Sequence, residues 1–469
     1  MHPSPAPVVI LGAGLAGLAA GCALARAGRR VQVLEGAPQV GGLARTIVAG
    51  GFRFDLGGHR FFTHDAAVEM LVRELLGPEL LSVPRTSRIR LRGRWIEYPL
   101  RPRSALAGLG LGTSAAILLG YARARLARCM RPSPLVSLED WVVAHFGRPL
   151  FDLYFRDYSE KVWGIGCREI SALWMAQRVQ GLSLGEAIRR ALISRRGPEL
   201  PTLTDRFLYP RLGIGRIAER LREEVERTGA VLTDTRVIRV HHKGRRIEGV
   251  TVRRGDQEQD VGGEAFVSTI PLTQLIQALQ PHAPAEVRAT AARMRYRDLV
   301  IVTVMLDRER VTDQTWIYLP EKDVPFGRLH EPTNWSAAMA PPGCSLLVTE
   351  RFCFRGDATW NASDAALIDD TALHLERLGF LRRDEVRGGS VVRVAAAYPL
   401  FEVGFEARSQ SLYDYLARFD NLQVAGRGGM FRYHNMDHAM ASGLAAAAAL
   451  MPATALSDEP RAAVAGGAP

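Results

Sequence analysis

Three features of this sequence predict an α/β protein. The first is VVILGAGLAG (residues 8–17), a short apolar run that opens into a glycine-rich turn. The second is VQVLE (31–35), another apolar run, closed by an acid. The third is the return of strand-like segments after residue 230, so that pieces of one sheet are separated by other material. Together they predict a Rossmann-type dinucleotide-binding domain, discontinuous in sequence, with an α+β domain inserted into it.

Val8 to Leu11 reads as a buried parallel strand. Gly12 permits the tight turn, Gly14 lets a backbone approach a pyrophosphate, and Gly17 lets the next helix lie close to the strand. The helix N-terminus offers unpaired N–H groups to phosphates. Glu35 can accept hydrogen bonds from ribose hydroxyls and would repel a 2′-phosphate. A GxGxxG alone is a weak signal, but here its strand, helix and acid accompany it; the plain alternative is a glycine-rich turn that holds nothing. The string GAPQVGGLARTIVAGGFRFDLGGHRFFT follows. Its Gly41-Gly42 pair would let backbone pass close to a cofactor, and Arg45 would set a fixed cation beside a pyrophosphate.

Residues 76–205 read as mostly helical: LEDWVVAHFGRPLFDLYFRDYSEKVWG has helical spacing, and SLGEAIRRAL begins at a good cap, Ser183. VLTDTRVIRVHHKGRRIEGVTVRRG (231–255) reads as a hairpin-like pair, and AFVSTIP as a buried strand. DLVIVTVML (298–306) and CSLLVTERFCF (344–354) read as sheet strands. NLQVAGRGG is a strand running into a glycine turn, and AMASGLAAAAALM a helix. This order assigns 1–75, 205–275 and 395–450 to the cofactor domain and 76–204 and 276–394 to a substrate domain. The Ala/Gly/Pro-rich tail 451–469 reads as disordered. Val237, on the strand 231–240, is a candidate contact on the adenine side, with an ordinary core valine as the alternative.

Composition narrows the classes. Of 469 residues, 47% are apolar, enough for a large core. The net charge of +11 comes from arginine. Runs such as Arg85 to Arg103 could meet phosphates, acidic lipid or an acidic substrate, or form a solvated face. No nucleic-acid-reading motif accompanies them, so no nucleic-acid partner is expected. Five scattered cysteines without a CxxC pair indicate neither a zinc site nor a disulfide framework, and fit a reducing cytoplasm. No metal is expected, and His241-His242 reads as an exposed hairpin pair. MHPSPAP lacks the charged-then-apolar pattern of a secretory signal. Residues 104–121, SALAGLGLGTSAAILLGY, carry no charge and are flanked by arginines. A buried or capping helix is the leading reading and peripheral contact with the inner membrane the next; four glycines argue against a spanning helix.

Four further strings are GGHRFFT (57–63), YSEKVWG (158–164), YPRLGIGRIAERL (209–221) and GRGGMFRYHNMDHAM (426–440). With the Gly42-Arg45 extension, they resemble the flavin amine oxidase superfamily over most of the chain. Within it they resemble the branch of UDP-galactopyranose mutase and protoporphyrinogen oxidase. The resemblance implies a bound FAD, with Gly58, Arg427, Met436 and Asp437 near it. A helix starting at Met436 would aim its amides at the flavin pyrimidine edge. Tyr158, Trp163 and Tyr433 match aromatics with which the mutases hold a sugar nucleotide. His59 is a candidate to tune flavin protonation or position substrate. Three positions depart from the mutase pattern. Asn435 replaces an acid, Gln177 (beside Arg178) replaces an arginine, and Phe61-Phe62 follow His59-Arg60 where a second histidine is usual. The resulting expectation is an FAD-dependent oxidoreductase acting on a C–N or C–C bond of a small or lipid-linked substrate. The alternative is a mutase-like isomerase of a nucleotide or lipid-linked sugar.

Overall fold

The computed structural model describes residues 6–91, 93–97, 110–130, 134–178 and 206–451. A five-stranded parallel sheet runs in the order Leu422–Val424, Ala265–Ser268, Val8–Leu11, Val31–Leu34, Ala230–Leu232. Val8–Leu11 is central and wholly buried, which is why it reads as an unbroken apolar run rather than an alternating one. Its turn into helix Leu15–Arg26 needs glycine twice. Gly12 has φ +106°, and a Cβ there would lie 2.5 Å from Thr269 Oγ1. A Cβ at Gly17 would lie 2.0 Å from the Gly12 carbonyl oxygen. The C-terminal helix Met436–Ala449 packs on the same helix just as closely. A Cβ at Gly443 would come within 2.0 Å of the Ala16 carbonyl oxygen.

The second large sheet has seven strands, in the order Val386–Pro399, Tyr296–Leu306, Ser345–Cys353, Arg328–His330, Trp316–Tyr318, Ser87–Leu91, Arg94–Glu97. All its pairings are antiparallel except Trp316–Tyr318 with Ser87–Leu91. The register sets Arg328 opposite Glu350 and Arg297 opposite Tyr398. A four-stranded sheet of Gln257–Gly262, Arg246–Arg254, Arg236–Lys243 and Leu279–Gln280 lies beside the first.

Helices Leu111–Met130, Leu138–Phe146 and Arg156–Trp163 form a helical layer. Ser137 opens the second through a capping box with Asp140. A π-helical turn, Phe151–Phe155, precedes the third and shifts the phase of the residues that follow it.

Two expectations are corrected. Residues 76–205, expected to be mostly helical, also contain strands among their described residues. Leu80–Pro84, Ser87–Leu91 and Arg94–Glu97 are strands, because partners distant in sequence (Arg206–Pro210 and Trp316–Tyr318) pair with the first two. The strand expected over 231–240 is two strands in two sheets, broken at Asp234, whose φ is +52°. Ser183, the tail after Met451 and residues 104–109 lie outside the described residues, as do the side chains of Gln177 and Arg178.

Replacing Gly443 with Val should destabilise the protein by about 1–3 kcal/mol or more, since the added atoms meet backbone rather than a flexible side chain. Urea unfolding of the FAD-loaded variant would measure it. An unchanged midpoint would show that the two helices can separate freely.

Candidate active site

The glycine-rich turn is tied to Glu35 by two hydrogen bonds. Ala13 N–H donates to Glu35 Oε2 (2.8 Å) and Ala37 N–H to Oε1 (2.9 Å). The acid therefore clamps the turn itself, and its remaining lone pairs are what a ribose could use. Gly41 N–H donates to the Ala13 carbonyl at 2.7 Å, which brings the Gly41-Gly42 loop onto the turn. A Cβ at Gly14 would meet nothing within 4 Å, whereas one at Gly42 would lie 3.3 Å from Gly14 Cα. Open space at Gly14, walled by backbone, suits a pyrophosphate. Arg45 Nε is buried without a hydrogen-bond partner. Thr235 N–H donates to the Glu35 carbonyl, which sets Val237 two residues further along, half-buried at the same end of the sheet. At the other end, helix Met436–Ala449 starts at Asn435, whose side chain caps nothing, and Asp437 lies in its first turn. Gly426 (φ +80°) turns the chain out of the strand Leu422–Val424 toward it. These residues fit a flavin dinucleotide in extended form.

The second half of the site is polar and aromatic. Arg328 donates from Nε to Tyr158 Oη (2.9 Å) and from Nη1 to Glu350 Oε2 (3.0 Å) and Tyr398 Oη (3.4 Å). Glu350 Oε1 accepts from Gly58 N–H at 3.2 Å. The pair is deep: the Arg328 side chain is 11% exposed and that of Glu350 2%. Tyr398 and Tyr433 stack with ring centroids 6.3 Å apart. The Arg427 guanidinium lies over both rings, 5.0 and 5.5 Å from their centroids, and its Nε donates to the His434 carbonyl (2.7 Å). Among the described residues no acidic side chain is within ion-pair distance of Arg427. Gly58 must be glycine because a Cβ would sit 1.5 Å from the Trp316 ring.

Burial, and after it Arg427 and Arg328, push the His59 pKa down to about 3. His330, stacked against both Trp316 and Trp335 at 5.4 and 5.0 Å, is likewise pushed to about 3, chiefly by burial. Burial lowers His434 to about 4. All three imidazoles are neutral at pH 7.

Tyr158, Tyr433, Arg427 and His59 are thus brought together. Trp163 is 2% exposed and packs edge-on against Tyr398 (6.2 Å) and Phe401 (5.7 Å). Sequence reasoning missed Arg328, Glu350 and Tyr398. The available signal was a charge inside an otherwise apolar strand, as in SLLVTERFC. Among the described residues no group of His, Cys, Asp or Glu is placed to hold a metal ion.

A parallel sheet with a glycine turn and acid, beside a mostly antiparallel sheet carrying a buried polar and aromatic cluster, fits a flavin-dinucleotide enzyme. The profile of the flavin-containing amine oxidoreductases matches residues 15–451, and the chain belongs to that family. It is an FAD-dependent oxidoreductase. Among curated relatives it is 28% identical to the phytoene dehydrogenase of Streptomyces griseus over 369 residues, covering 73% of this chain and 68% of that protein. Among solved structures it is similar to reduced UDP-galactopyranose mutase, with TM-score 0.81, 22% identity and 94% of each chain covered. It is also similar to the cyclohexylamine oxidase of Brevibacterium oxydans IH-35A, with TM-score 0.66, 17% identity, and 95% of this chain and 98% of that one covered. At these identities the two structures share the fold.

Two predictions follow from the geometry. Glu35→Ala should weaken FAD binding by about 1.5–3 kcal/mol or more, because the turn loses its clamp as well as a charged acceptor. Titration of apo-protein with FAD measures this, and an unchanged dissociation constant would contradict it. The second concerns acid. His330 is neutral when folded down to about pH 3 and titrates near 6.5 when unfolded, so the unfolded state binds the extra proton between those values. Stability is full above 6.5 and falls as pH drops, by about 2 kcal/mol at pH 5 for this one group. His330→Phe, which keeps the stack, should lose about 2 kcal/mol less than wild type between pH 7.5 and 5. Parallel pH-dependent urea curves would refute it.

Proposed function

We propose that the chain carries out flavin redox chemistry on a small or lipid-linked organic substrate that bears an anionic group. The observation that supports it is Arg427. Its guanidinium is enclosed against Tyr398 and Tyr433, faces no acidic side chain among the described residues, and lies beside a second arginine already neutralised by Glu350. A half-buried cation without a counter-ion is stabilised by an anion that arrives with the ligand.

In this reading Gly12, Gly14, Gly17, Glu35, Gly42 and Arg45 hold the ADP half of FAD, and Val237 borders the adenine. Gly58, Met436 and Asp437 border the flavin. FAD, when bound, supplies two-electron chemistry. Tyr158, Tyr433 and Arg427 orient the substrate, and Arg328 holds Tyr158 and Tyr398 in place. His59, held neutral by burial and the two arginines, can donate or accept a hydrogen bond at a ring nitrogen and so steer the substrate or the flavin. Trp163 is a positioning residue behind Tyr398. The cofactor domain comprises residues 1–75, 205–275 and 395–450, and the substrate domain 76–204 and 276–394.

A second reading is favoured by one arrangement. Two arginines, each set among tyrosine rings, would suit a diphosphate, as in a nucleotide or lipid-linked sugar handled by a mutase-like isomerase. Inorganic pyrophosphate and UDP serve as probes of the shared anion site. Both should perturb the flavin absorbance, and Arg427→Gln should weaken them at least about tenfold, or about 1.4 kcal/mol. Equal binding to wild type and variant would overturn the anion site. A turnover substrate that bleaches the flavin band without oxygen supports the redox reading; turnover only after prior reduction, without net electron transfer, supports the isomerase.

A further inference from the structure

Among the described residues eleven large apolar side chains are exposed, and five of them lie on helix Leu111–Met130. They are Leu111 (84% exposed), Leu118 (48%), Leu119 (58%), Leu126 (60%) and Met130 (67%). At about 100° per residue they share one side of the helix with Ala115, Ala122 and Cys129. The opposite side is committed to the protein. Ser114 is buried and Ile117, Tyr121 and Ala124 are half-buried, on the side that packs on helix Leu138–Phe146. A Cβ at Gly120 would lie 2.5 Å from Pro149 Cδ.

The helix contains no acid. Arg123 and Arg125 are exposed and leave the helix on opposite flanks of the apolar stripe. Arg128 lies toward the protein side, its Nη1 2.8 Å from His145 Nε2. A second copy laid on this face would bring arginine toward arginine, with no acid on either helix to meet it. No helix among the described residues is long and apolar enough to cross a membrane.

We propose that this face rests on a bilayer surface containing anionic phospholipid. The helix axis lies in the plane of the surface, the leucines reach the acyl boundary, and Arg123 and Arg125 meet phosphates. The same layer continues through Leu138–Phe146 and the π-helical turn Phe151–Phe155 to Tyr158, so the bilayer would lie on the substrate side of the molecule. This inference does not rest on the anion-site reading, since a water-soluble substrate would leave it intact.

The test is flotation of the FAD-loaded full chain with vesicles of mixed phosphatidylglycerol and phosphatidylcholine, against phosphatidylcholine alone. Binding is expected at low salt. It should fall about tenfold or more on phosphatidylcholine, in Arg123→Gln/Arg125→Gln, and in Leu118→Asp/Leu126→Asp, with flavin content unchanged. Exposed Cys129 gives a readout that keeps every leucine: labelled with a polarity-sensitive dye in a Cys344→Ser background, its emission should shift to the blue on vesicle addition. If the aspartate variant fails to fold, the dye decides. No flotation of the intact chain, flotation that survives loss of the leucines, a dye that does not respond, or a dimer that the leucine substitutions dissociate would each overturn the proposal.

Discussion

The substrate half of this molecule is organised by one buried ion pair, Arg328 with Glu350. Its members face each other across antiparallel strands, so the pair forms only in one register. A one-residue slip of either strand would turn its charge to the other face of the sheet, away from its partner. From that position Glu350 accepts the Gly58 amide, and Arg328 reaches Tyr158 on a helix and Tyr398 on an edge strand. Five separate chain segments thus meet at this pair. Removing either partner would leave an unpaired buried charge, a loss of about 3–5 kcal/mol. The pair's worth is therefore largely geometric: it fixes where the tyrosines and the Gly57-Gly58 loop stand relative to each other.

The cofactor half depends on close approach of backbone instead of charge. Gly12, Gly17 and Gly443 sit where a single added carbon would overlap another residue, in two cases a carbonyl oxygen 2.0 Å away. Such packing brings three elements, the first strand and the first and last helices, to within backbone contact. Their ends then converge on the turn clamped by Glu35. A polar clamp and a glycine interface do complementary jobs: the glycines set the distance, and the acid sets the conformation of the loop between them.

Legibility followed the range of the interactions. The glycine turn, Glu35, and the helix at Met436 were readable because each is a local pattern of strand, turn and helix. Leu80–Pro84 was not, because its partner lies more than a hundred residues away, and Ser87–Leu91 was not, because one of its two partners does and its own composition is mixed. Arg328 and Glu350 are only 22 residues apart, yet nothing local marks them as partners. Each looks like an isolated charge in its own strand, and only the sheet register makes them a pair. The resemblance to the mutases points to Tyr158, Trp163 and Tyr433 together, through the strings YSEKVWG and GRGGMFRYHNMDHAM. The spacing fixed Trp163 on the right helix but could not tell which of its faces is covered by Trp174 and Phe401.

Lys161 shows how the helical layer is held to the sheet that carries Arg328. Its ammonium donates to the carbonyls of Leu319 (2.8 Å), Val324 (2.9 Å) and Glu321, using all three protons on one loop. Burial lowers its pKa to about 8, opposed by Asp323, Glu321 and Asp157, so the charged form is kept by this loop's oxygens and acids. The loop leads directly into the strand Arg328–His330, while Lys161 shares one short helix with Tyr158. A single side chain therefore fixes the spacing between the two partners of the Tyr158–Arg328 hydrogen bond. Tyr158 and Lys161, three residues apart, share one face of that helix, and the π-helical turn just before it sets the direction in which that face points.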